Sequence, residues 1–99
     1  MKLSPVDDLQ MKRIVRVITD TAQPPPGVND RRLGAVASTF TCSRREAVKL
    51  AWAAEYVKEL DDLDLMDAVD LSGIRIGIAG VKQVETITRP ELHKRDNKQ

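Results

Sequence analysis

The sequence predicts a small, mainly α-helical domain that ends in a β-hairpin, and three observations carry that expectation. Apolar residues recur at three- and four-residue spacing over most of the first 70 positions. Proline, glycine and capping residues interrupt that pattern at intervals suited to short helices. Ile74, Ile76 and Ile78 then alternate strictly, which is the period of a strand. Ninety-nine residues make one domain, taken as 1–90 followed by a polar tail at 91–99. Phe40, Trp52 and Tyr56 are the only aromatics, so the core must be aliphatic and its stability modest. Oligomerisation is the natural remedy for a core of that size.

In chain order, Ser4-Pro5-Val6-Asp7 reads as a helix start, with serine as cap and proline in the first turn. Val6, Leu9, Ile14, Val17, Ile18 and Ala22 then form an apolar stripe that Met11 and Val15 widen, giving a helix over about 5–22. Pro24, Pro25, Pro26 and Gly27 end it and form a stiff spacer. Asn29 or Asp30 caps a second helix at about 30–40, whose face is Leu33, Val36, Ala37 and Phe40. Ser43-Arg44-Arg45-Glu46 matches a capping box and opens a third helix over about 43–60, with a wide apolar band. Asp61 or Asp62 caps a fourth, about 62–71, stopped at Gly73. The expected hairpin covers about 74–88, turning near Gly80, with Val84 to Thr88 as its second strand.

Charge is balanced overall, at net +1, but unevenly spread. Residues 1–58 carry ten basic and six acidic side chains, and residues 59–72 carry six acids and no base. No apolar run approaches the roughly 20 residues of a membrane span, and Met-Lys-Leu-Ser-Pro opens no apolar signal region. One cysteine, Cys42, forms no intramolecular disulfide and no zinc cluster. The expectation is a cytoplasmic protein without a membrane partner.

Over Leu33 to Trp52 the chain resembles the generic helix-turn-helix pattern. Val36 and Ala37 supply the apolar and small pair of its first helix, Phe40 closes that helix, and Cys42 is the apolar turn residue. Ala47 and Leu50 are the inward positions of the second helix. Two positions depart from the pattern: Thr41 stands where a turn glycine is usual, and Val48 where a polar residue is usual. The resemblance implies a dimeric, double-stranded-DNA-binding transcriptional regulator, of winged form if the hairpin serves as the wing. Ser43, Arg44, Arg45 and Lys49 would face the groove, since arginine suits the two acceptors of guanine, while Arg31, Arg32 and Lys82 would meet phosphates.

The same helices also serve as a plain scaffold, and a second function class stays open beside the first. In it the chain is a small protein-interaction module, an adaptor or an inhibitor such as phages encode. Its interface is the acidic 59–70 segment, with Asp61, Asp62, Asp64 and Asp67, together with a Trp52 and Tyr56 face. Catalysis finds no constellation. His93, the only histidine, stands in the polar tail. Cys42 has Arg44 and Arg45 nearby to depress its pKa but no histidine to partner it. Asp62, Asp64 and Asp67 lack the glycine and closing glutamate of a calcium loop, so neither metal nor cofactor is expected.

Overall fold

A computed structural model describes residues 6–94 as six helices joined by short connections. These are α1 (Asp8–Asp20), α2 (Asp30–Phe40), α3 (Arg44–Ala54), α4 (Asp62–Leu71), α5 (Ile78–Thr88) and α6 (Pro90–Lys94). Helix α3 is the centre. It packs on α1, α2, α4 and α5, and Ala47, Val48, Leu50, Ala51, Ala53 and Ala54 are all buried. Four of those six side chains are alanines, and the small side chains let neighbouring helices approach on several sides. Around α3 the core divides in two. Leu33, Val36, Ala47, Val48, Leu50 and Val84 fill the half between α2, α3 and α5. Ile18, Ala53, Leu65, Val69 and Val81 fill the half toward α1 and α4, and Trp52, Ile74 and Ile76 touch both.

The helix starts are specified locally. Asp7 accepts from Gln10 N at 2.8 Å while the Gln10 side chain returns to Asp7 N, a reciprocal capping box. The first helix therefore begins later than Ser4-Pro5 suggest, and those two residues lie outside the described part. Asn29, Ser43 and Asp61 cap α2, α3 and α4 through the amides of Arg32, Glu46 and Asp64. Helix α3 stops at Ala54 rather than near residue 60. Residues 55–59 continue as tight turns, with Tyr56 N and Val57 N bonded to carbonyls three residues back.

The C-terminal hairpin does not exist. Among the described residues there is no strand; residues 74–77 are an extended connector, and the rest of the expected hairpin is helix α5. Alternation is real over the connector, where Ile74 and Ile76 turn into the core while Arg75 and Gly77 are exposed. It ends there, because Val81, Val84 and Thr88, all fully buried, recur at helical spacing. Gly80 makes no turn. A Cβ on it would run into the Ile76 side chain, so its bareness lets the connector lie against α5. There is accordingly no wing. The expected polar tail is in part helical as well, since Pro90 opens α6.

One ion-pair system ties the ends of three elements. Arg89 donates through Nε and Nη2 to the two carboxylate oxygens of Glu55, both at 3.0 Å, and through Nη2 to Pro26 O at 2.6 Å. The fork fits a carboxylate in two places, a match lysine cannot make. It lies against Gly27, whose φ of +88° and lack of a side chain both make room for the guanidinium.

Candidate nucleic-acid interface

The segment that resembles a helix-turn-helix is two helices, α2 and α3, joined by a three-residue connection at 41–43. Helix α2 ends in Thr41 at φ +50° and ψ +52°, the left-handed conformation that the motif ordinarily assigns to glycine. Cys42 N then bonds back to Ala37 O at 3.0 Å, closing the helix end in a Schellman-type turn. Ser43 leaves the turn extended and caps α3. Thr41 thus does the conformational work of the missing glycine. Val48, the other departure, is buried at 3% exposure, because α3 packs on α1, α2, α4 and α5.

The outward arc of α3 is correspondingly narrow. Arg45 and Glu46 are exposed, Lys49 is half-buried, and one turn on, Trp52 donates its indole N–H to Gln23 O at 2.7 Å. A cleft runs beside the first two turns of α3, between the Thr41–Cys42 turn and the 73–76 connector. Lys49, Glu46 and Arg75 line its rim, with Phe40, Leu50 and Ile76 beneath. Arg75 is not among the residues the sequence singles out. Its signal was an isolated cation between two inward isoleucines.

The expected site residues separate into engaged and free. The Ser43 hydroxyl accepts from Glu46 N at 3.1 Å and is spent on the cap. Arg44 pairs with Asp30 at 3.1 Å, with both groups well exposed. Arg32 donates to Thr88 O at 3.1 Å and to Glu91 at 3.4 Å, which holds α2 to the α5–α6 corner. Lys82 lies 3.4 Å from Asp62 at the start of α4, a helix-to-helix pair rather than a wing contact. Among the described residues, Arg31, Arg45, Lys49 and Arg75 form no salt bridge and remain available to an anion.

The alternative interface divides in the same way. Trp52 and Tyr56 pack against the α1/α4 half of the core, and Tyr56 lies in the turns beyond α3. Burial first, then Glu59 and Glu55, raises the Tyr56 hydroxyl pKa. Asp61 is the α4 cap, Asp62 is paired with Lys82, and Asp64 accepts from Val6 N at 3.2 Å. Asp67 stays exposed without a partner among the described residues, as does Asp70.

Cys42 behaves oppositely to the expectation from its arginine neighbours. Burial, and secondarily the Glu46 carboxylate, push its thiol pKa up, which favours an inert packing residue. No group of three or more potential metal ligands occurs among the described residues, and no described helix is long and apolar enough to cross a membrane. Comparisons with protein-family models, curated proteins and solved structures return no match.

Proposed function

We propose that the protein is a non-catalytic, helix-turn-helix protein that binds double-stranded DNA. The observation that carries this reading is the Thr41 turn, which sets α3 against α2 with Arg45 and Lys49 outward and unpaired. Arg75 joins them across the cleft, and Arg31 on the first turn of α2 stands ready for phosphate. Arg45 is the base-reading candidate because its fork reaches guanine's two acceptors, whereas Lys49 and Arg75 act as point contacts to the backbone. Arg44 contributes less, since releasing it costs its pair with Asp30. Regulation of transcription is the use such a protein would serve.

The test is fluorescence anisotropy with a labelled random-sequence duplex at low salt, comparing the native chain with an Arg45→Ala/Lys49→Ala variant. The native protein binds in the micromolar range and weakens steeply with salt; the variant loses at least about tenfold in affinity. Equal binding by both, or none by either, would end the reading.

A second reading, a partner-protein module, draws on one specific observation. Leu63 is 80% exposed and Leu71 65% exposed on the outer side of acidic α4. Substituting Asp67 and Asp70 would then abolish partner capture while leaving DNA binding unchanged.

A further inference from the structure

Helices α1 and α4 are neighbours, and each has an outward face with exposed side chains that no other described helix packs on. On α1, Met11 and Val15 form the apolar floor of an open groove, with Lys12, Arg16 and Asp20 along its edge and Leu71 of α4 at its border. On α4, Leu63, Asp67 and Leu71 follow one another at four-residue spacing, so they lie in one row beside Asp70. Opposite charges therefore stand on adjacent helices. Lys12 and Arg16, and likewise Asp67 and Asp70, nevertheless make no salt bridge among the described residues.

A face that carries both an unpaired cation pair and an unpaired acid pair, each with its own apolar row, is complementary to itself. Two-fold association needs that property, because the contact made by one protomer must be repeated in reverse by the other. Lys12 and Arg16 are four residues apart and Asp67 and Asp70 three, so each pair spans about one helical turn. We propose that this α1/α4 face binds a second copy of the chain. Lys12 and Arg16 of each protomer meet Asp67 and Asp70 of its partner, and Leu63 and Leu71 of each cover Met11 and Val15 of the other. The contact removes the two most exposed large apolar side chains among the described residues from water and adds apolar burial to a domain with a small core. It leaves Arg45, Lys49 and Arg75 outside the interface, so it stands whether or not the chain binds DNA.

Sedimentation equilibrium of the full chain, at concentrations up to about 100 µM, tests the proposal. The native chain reaches twice its chain mass. Two face variants, Lys12→Glu/Arg16→Glu and Asp67→Lys/Asp70→Lys, alter only exposed side chains, and each weakens self-association at least about tenfold, since like charges then face each other. An equimolar mixture of the two variants regains the dimer mass, because one contact is then native and the other charge-reversed, and both are of opposite sign. A native chain that stays monomeric across the range overturns the proposal. So do face variants that dimerise as the native chain does, and so does a mixture that stays monomeric while each variant keeps its helical circular dichroism. Leu71→Gln, without any charge change, must weaken the dimer as well; an unaltered dimer also counts against this face.

Discussion

Thr41 offers the sharpest quantitative test of the turn. Its φ of +50° and ψ of +52° place a β-branched residue where its Cβ crowds the following carbonyl. A left-handed conformation costs an L-residue about 1–2 kcal/mol relative to the right-handed one. The Thr41→Gly substitution removes that strain but returns about 0.4–1 kcal/mol through the greater freedom of glycine in the unfolded chain. The Thr41 hydroxyl makes no hydrogen bond among the described residues, so no polar contact is lost. The net expectation is a stabilisation of about 0.5–1 kcal/mol, a rise in Tm of about 2–8 °C for a domain this size.

Gly73 supplies the matched control. Its φ is +76°, and a Cβ there meets nothing within 4 Å, so Gly73→Ala changes only the backbone preference. It should destabilise by about 1 kcal/mol. Urea unfolding followed by Trp52 fluorescence and by circular dichroism measures both. If Thr41→Gly proves neutral or destabilising while Gly73→Ala behaves as stated, the turn is not strained and the argument from its geometry fails.

Four further outcomes follow from the structure. Arg89→Ala breaks the two bonds to Glu55 and the one to Pro26 O, at side chains 19% and 27% exposed, and should cost about 2–3 kcal/mol in the same urea experiment. Gly27→Ala should reproduce part of that loss, because its new methyl would stand 2.5 Å from Arg89 Nη1 at an already positive φ. Trp52→Phe keeps a smaller aromatic ring but leaves Gln23 O without its indole donor, so it should cost about 1 kcal/mol, and a loss of several times that would show that the indole packs more than it bonds. The raised Cys42 pKa makes its alkylation by iodoacetamide slower at pH 8 than that of an unfolded thiol, with the rate climbing only at higher pH. The folded thiol holds its proton longer than the unfolded one. Its stabilising contribution is therefore present through neutral pH and is lost as pH rises through and beyond the ordinary thiol range.

How much of this was legible in the sequence depended on whether the signal was local. The bounds of α2 were readable from Asn29 and Phe40, and the start of α3 from Ser43 and Glu46, because caps act within three residues. Helix α4 was fixed by Asp61 and Gly73 for the same reason. The hairpin failed because alternation over residues 74–77 reflects a connector pressed on the core. Val81, Val84 and Thr88 already had helical spacing, and Gly80 was taken for a turn when its role is close approach to Ile76. Within the site, the candidate cations were readable but their availability was not. Arg44 with Asp30, Arg32 with Glu91 and Lys82 with Asp62 are separated by 14, 59 and 20 residues, distances that no local pattern spans. Thr41 departs from the glycine the pattern expects, yet its backbone is left-handed, the conformation a glycine there would favour.

The most direct test of the central claim is an amide chemical-shift map of the isotope-labelled chain titrated with duplex DNA at low salt. The account predicts that the perturbed amides cluster at residues 41–49 and 75, with Arg31 at the margin and the buried half of α3 unmoved. Perturbations that fall instead on the outer faces of α1 and α4, or no perturbation in excess DNA, would contradict it.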